Sequence, residues 1–251
     1  MYNALERCGS CISTAATIAL CLTGAGSGVL AMGGKTPERL STRRDIQKAK
    51  PDVEDIDIWN LPIQDYPSLA KFKSVKQIGL DCSEGTFATD EKLKALAALS
   101  LTNVTDIILT NCRLITDKGI RALSKIRSLK GLGLEGTSIT DAALKTMASE
   151  MQLSGVNVAN CDGVTMTGLR TLATSKTLKE ISFSADKLTQ DEVLELINLF
   201  RNITWCEIVD PHNKLDVKTI KEKGVEKNIR ILVTKTGALQ DTYGKGDEED
   251  K

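Results

Sequence analysis

One pattern returns along this chain at near-constant spacing, and it decides what the chain can fold into. Segments with apolar residues at the first, fourth and sixth positions begin at Val75 ("VKQIGLDCS"), Val104 ("VTDIILTNC"), Leu129 ("LKGLGLEGT"), Leu153 ("LSGVNVANC"), Leu178 ("LKEISFSAD") and Ile203 ("ITWCEIVDP"). The steps between these starts are 29, 25, 24, 25 and 25 residues. A weaker copy, "VEDIDIWNL", precedes them at Val53, and a degenerate strand, "NIRILV", follows. The second half of each unit repeats too: "ATDEKLKAL" (88–96), "ITDKGIRAL" (115–123), "ITDAALKTM" (139–147), "VTMTGLRTL" (164–172) and "LTQDEVLEL" (188–196) match in register. A unit this short cannot cover its own apolar face, so the copies must stack on one another into a solenoid.

The chemistry of one unit reads directly. Alternating apolar residues make a short strand with one face buried. The threonine that follows (Thr89, Thr116, Thr140, Thr165, Thr189) is suited to cap a helix, and Asp90, Asp117 and Asp141 then fall in its first turn, where the helix dipole favours negative charge. Thr189 and Glu192 have capping-box spacing. Apolar pairs at helical spacing, Ile120/Leu123, Leu144/Met147, Leu169/Leu172 and Val193/Leu196, bury each helix against its strand.

These units resemble the leucine-rich repeat family, in its ribonuclease-inhibitor-like and cysteine-containing subclasses. The pattern L-x-x-L-x-L-x-x-C-x-x-I-T-D-x-G-L is met almost in full by "VTDIILTNCRLITDKGI", and the likeness covers roughly residues 53–235. It implies an α/β fold: a right-handed solenoid arc of about six to eight repeats, with a parallel sheet on the concave face and helices on the convex face. It implies a protein-binding role, since members of the family mostly bind other proteins. It also implies that Cys112 and Cys161, which share one repeat position with Ser83, Thr137 and Asp186, turn inward as small buried groups. Similar cysteine-containing repeats stand behind F-box segments, which makes the substrate-recognition arm of a ubiquitin-ligase-like complex one alternative. "NLPIQDYPSLAKF" has a faint F-box opening, but the strand at Val75 follows too soon for an adaptor-binding helical module. A structural subunit of a membrane-associated assembly is the other alternative.

Composition narrows the function. Charges balance at 33 basic and 33 acidic residues, which removes any global field toward nucleic acid or anionic membranes. Aromatics at 4% are scarce for a base-stacking protein. The single histidine, His212, excludes His-rich metal sites and leaves little room for His-dependent catalysis. Glycines 119, 131, 133, 136, 155, 163 and 168 fall inside the repeats as turn and packing residues, and no phosphate-loop motif is present. No catalytic, cofactor-binding or metal-ligating residue is expected. Seven scattered cysteines do not read as a disulfide framework, and the Cys8/Cys11 pair lacks a matching second pair. Cys206 belongs to a strand core, whereas Cys82, one residue before the inward slot, is expected to be partly exposed and is the candidate reactive thiol.

The domain reading is fourfold. Residues 1–34 hold an uncharged run (8–34) of signal-peptide or membrane-anchor character, 35–52 form a polar linker with room for one short helix, 53–236 carry the repeats, and 237–251 are a charged tail. Lys35, Arg39, Arg43 and Arg44 follow the uncharged run, a placement that favours keeping that side in the cytoplasm if the run spans a membrane. The expected location is secreted or periplasmic, or membrane-anchored through this segment, with cytoplasmic and organellar locations left open. Membrane contact is expected only through residues 8–34.

If the arc binds a partner, the outward strand positions carry the contact. The middle column reads Gly79, Ile108, Gly133, Asn157, Ser182 and Glu207, small and mixed, with no single-sign stripe and hence no nucleic-acid groove. The expected partner-binding set is Ile108, Thr110, Gly133, Glu135, Asn157, Ser182, Trp205 and Glu207, with Trp205 and Ile108 as anchors. Trp205 has a second reading, as a cover over the last repeats. The reading is of a non-enzymatic scaffold, a monomer or a subunit of a complex, with a protein partner and no cofactor.

Overall fold

The computed structural model describes residues 37–80, 82 and 88–235. The chain alternates strand and helix throughout. The strands are β1 (Glu38–Leu40), β2 (Asp55–Ile58), β3 (Gln77–Leu80), β4 (Asp106–Ile108), β5 (Gly131–Gly133), β6 (Gly155–Asn157), β7 (Glu180–Ser184), β8 (Trp205–Val209) and β9 (Arg230–Thr234). Between them lie α1 (Arg43–Lys48), a 3-10 helix (Ile63–Lys71), α2 (Asp90–Ala97), α3 (Asp117–Leu123), α4 (Asp141–Glu150), α5 (Met166–Leu172), α6 (Gln190–Leu199) and α7 (Val217–Lys227). All nine strands pair in parallel and in chain order. This is the leucine-rich-repeat arc, with the sheet inside and the helices outside.

Register places each apolar position against its copy. Ile56, Ile78, Ile107, Leu132, Val156, Ile181 and Cys206 form one continuous buried column. The expected helix pairs, Ile120/Leu123 through Val193/Leu196, are buried against it. Burying each such side chain is worth about 1.5–3 kcal/mol, and the column shares that gain along the whole arc. The strands turn into the following loop through a left-handed residue, Asn60, Asn111, Gly136 or Asn160, with φ of 50°, 60°, 69° and 54°. Asparagine and glycine tolerate that conformation and most other residues do not.

The threonines cap their helices as expected, but the aspartates do more than sit in the first turn. Asp90 accepts from the backbone N–H of Thr116 at 2.9 Å and from its hydroxyl at 2.6 Å, one repeat away. Asp117 does the same for Thr140 (2.8 and 2.7 Å), and Asp141 for Thr165 (2.8 and 2.6 Å). A ladder of Asp–Thr rungs thus ties each helix start to the next. Where Met166 stands in place of the aspartate, Thr189 has no rung, and Glu192 of its own helix reaches back to the Thr189 N–H at 2.8 Å instead. The Thr42–Asp45 capping box on α1 uses the same local solution. A Cβ on Gly119 or Gly168 would lie 2.5 and 2.2 Å from the carboxylate oxygens of Asp90 and Asp141, whereas Ala143 holds the equivalent position beside Asp117 and donates its N–H to that carboxylate at 3.2 Å.

Two sequence expectations are corrected here, on the linker and on Cys82. The polar linker holds β1 and α1, so the solenoid begins before residue 53. With one apolar residue in three, β1 lacks a strand signature, and pairing to β2 supplies what the side chains do not. Lys71 closes the end of α1 by donating to the carbonyls of Ile46 and Ala49. The faint F-box segment is the 3-10 helix of an ordinary repeat between β2 and β3, its Tyr66 and Leu69 fully buried. Cys82 is buried and forms a disulfide with Cys112, which does occupy the inward slot. Their separation of 30 residues hid the pair, because stacking brings residues one repeat apart to a Cα distance of 5.2 Å. Cys161 fills its slot as a small donor, its thiol 3.0 Å from the Leu134 carbonyl, and Cys206 is buried in the strand core.

No helix among the described residues is long and apolar enough to cross a membrane. The uncharged run 8–34, with Cys8, Cys11 and Cys21, and the tail 237–251 lie outside the described residues.

Candidate protein-binding concave face

The concave face is built by the strand positions that alternate with the buried column. Cross-strand partners define three columns running across it. The middle one is Asp57, Gly79, Ile108, Gly133, Asn157, Ser182, Glu207 and Leu232, so the six middle-column residues expected from sequence do line up. The upstream column is Asp55, Gln77, Asp106, Gly131, Gly155, Glu180, Trp205 and Arg230. Downstream stand Thr110 and Glu135, with Ser184, Val209 and Thr234 farther along. The predicted set therefore lies on one face, spread over three columns.

Their exposure differs from the expectation. Ile108, Gly133, Asn157, Ser182 and Glu207 are buried, Ser182 and Glu207 completely, and only Thr110, Glu135 and Trp205 are half-buried. The polar members are turned onto one another rather than held out to water. Ser182 donates to Glu207 at 3.0 Å, and Thr234 reaches the other Glu207 oxygen at 3.5 Å. Glu135 accepts from Asn160 at 2.9 Å and from Asn157 at 3.4 Å, while Asn160 and Ser184 bond each other. Trp205 lies opposite Arg230, with β9 paired beyond it.

The face also carries a sign that the balanced composition concealed. Asp55, Asp57, Asp106, Glu135, Glu180 and Glu207 line it. Its cations stand at the margins. Arg39 lies 3.8 Å from Asp57 and over the Trp59 ring, and Arg230 is on the last strand. Lys76 pairs with Glu54 at 2.9 Å, and Lys130 donates to the Gln152 carbonyl. Desolvation dominates the carboxyl groups and raises Asp55, Asp106 and Glu135 above their ordinary range. Glu207 is pushed up to about 7, by burial first and by the charge of Glu135 as well, against the hydrogen bond from Ser182. Sequence reasoning missed this because it followed the middle column. Taken alone, the upstream column Asp55, Gln77, Asp106, Glu180 shows the acidity.

His212, away from the strands, is exposed and 2.7 Å from Asp186. Among the described residues, no group of three or more His, Cys, Asp or Glu is arranged to hold a metal ion.

No protein-family model matches the chain, and no curated protein matches it by sequence. Among solved structures it is similar to actin-binding site 2 of leiomodin-1, at 15% identity and a TM-score of 0.43, covering 55% of this chain and 84% of that one. It is similar to the tropomodulin C-terminal domain of Caenorhabditis elegans, at 13% identity and a TM-score of 0.37, over 66% of this chain and 92% of that one. A third similarity is to the Rad7–Elc1 complex of yeast, at 12% identity and a TM-score of 0.27, over 76% and 72% of the two chains. No residue of the concave face takes a role from these likenesses.

Proposed function

We propose that the chain is a non-enzymatic interaction module that binds a partner protein on the concave face of its repeat arc. The observation that carries this reading is the face itself. It presents a rigid sheet of side chains fixed by neighbouring strands, with acidic groups concentrated on it and several of them desolvated. Buried charge of one sign is costly to hold alone and favours a complementary surface. Ile108 and Trp205 supply apolar contact at two points, and Glu135 with Thr110 the polar rim.

The test is affinity capture with the full chain and with Ile108→Lys, Glu135→Lys and Trp205→Ala variants, each checked for folding by circular dichroism. A specific partner is expected to be retained by the native chain and lost from the concave variants, while Lys145→Ala on the outer helix α4 retains it. A complex that survives all three concave substitutions would place the binding surface elsewhere.

A further inference from the structure

On β3 and β4, Gln77 and Asp106 are register neighbours in the upstream column of the concave face. Both are more than nine-tenths buried, at 3% and 8% exposure. Yet Gln77 Nε2, Gln77 Oε1 and Asp106 Oδ1 have no hydrogen-bond partner. Thr105 satisfies only the other Asp106 oxygen, donating to it at 2.7 Å. Buried amides and carboxylates are normally bonded at every atom, so three orphans side by side mark the place of a missing partner.

The surroundings say what that partner carries. The next two residues of the column are Gly131 and Gly155, followed by Glu180 and then Trp205. Adjacent strands lie about 4.8 Å apart, so a floor without side chains separates Asp106 from Glu180 by about 14 Å. Such a floor lets a polypeptide backbone approach closely. Gly133 extends it into the middle column, where Ile108 and Asn157 flank it. The charged walls on both sides are acids. An anion is therefore repelled, and no metal-holding group of three ligands stands among the described residues.

Resting on the protein-binding reading above, we infer that this hollow takes a basic segment of the partner, with an arginine guanidinium donating to Asp106 Oδ1 and Gln77 Oε1. A main-chain carbonyl of the same segment accepts from Gln77 Nε2, so all three orphan atoms are satisfied by one chain. Arginine fits better than lysine because its planar fork reaches two acceptors on adjacent strands, whereas an ammonium is a compact, strongly hydrated point charge. Burial already lifts the Asp106 carboxyl above its ordinary range, and an arriving cation reverses that effect.

The test titrates the full chain with a fluorescein-labelled hexa-arginine peptide, with hexa-citrulline as its uncharged isostere. Hexa-arginine is expected to bind, hexa-citrulline to bind at least about tenfold more weakly, and Asp106→Asn to weaken hexa-arginine about tenfold or more, as loss of a charge-assisted bond does. Glu91→Gln on the outer helix α2 leaves binding unchanged. In the native chain, which needs no variant to fold, the side-chain amide resonance of Gln77 moves as the arginine peptide is added. Equal binding of the citrulline peptide, indifference to Asp106→Asn, or a stationary Gln77 amide at saturation overturns the inference. A Gln77 amide that moves with protein concentration alone assigns the hollow to a second copy of the chain and overturns it too. The two readings fail separately: a partner lost from the concave variants but indifferent to Asp106→Asn removes the arginine site and leaves the protein-binding face standing.

Discussion

Glu207 makes the stability of this protein pH-dependent in a direction opposite to that of most surface carboxylates. Its side chain is fully buried on the middle strand position of β8, held by Ser182 at 3.0 Å and Thr234 at 3.5 Å, and its folded pKa is pushed up to about 7 from an ordinary 4.5. The folded state therefore binds the proton more tightly than the unfolded state. The stabilisation is complete below about 4.5 and is lost as pH rises through about 7. At about 1.4 kcal/mol per pH unit, the full swing is about 3 kcal/mol. Glu207→Gln keeps the shape and removes the titration, and the Ser182 and Thr234 hydroxyls rotate to suit the amide. Urea unfolding of both proteins is measured at intervals from about pH 4 to about pH 8. The variant is expected to gain about 3 kcal/mol relative to the native chain across that range. Asp55 and Asp106 shift stability in the same direction and in both proteins alike, so the difference reads Glu207 together with its coupling to Glu135. Parallel curves, with a constant gap at every pH, would refute the reasoning.

Two further outcomes follow from the scaffold. Gly168→Ala should destabilise by about 1–3 kcal/mol through overpacking, although alanine is the better helix former, because its Cβ would lie 2.2 Å from Asp141 Oδ1. Adding Asp141→Ala should recover part of that loss, and additive costs in the double-mutant cycle would deny the rung. Denaturing alkylation without reductant should leave Cys82 and Cys112 unlabelled and joined in one peptide pair, while Cys161 and Cys206 react. Reduction should then lower stability by about 3–4 kcal/mol, as loop-closure entropy gives for a loop of this length; free thiols at both positions would count against the bond.

The sequence by itself determined the repeat, and with it the strand and helix of nearly every unit, the capping threonines and the buried columns. These depend on contacts inside a unit or on a periodic copy of it, and both are written in residue type and spacing. Tertiary structure decided everything that depends on which unit stands beside which. The first strand, Glu38–Leu40, carries too little apolar signal to be seen and exists because β2 offers it a partner. Cys82 and Cys112 read as unrelated cysteines until stacking brings their repeats together. The aspartates that seemed to serve their own helices bond the next one, and the close approach at Gly119 and Gly168 exists only once the carboxylate of the repeat before is in place. The candidate site divides in the same way. Its middle column was legible because side chains alternate with a period of two, and the acidity of the upstream column could have been read in the same way, but its burial was not legible. Burial is set by cross-strand neighbours about 25 residues away, and only the register shows the acids lying together, with Arg39 and Arg230 on the first and last strands.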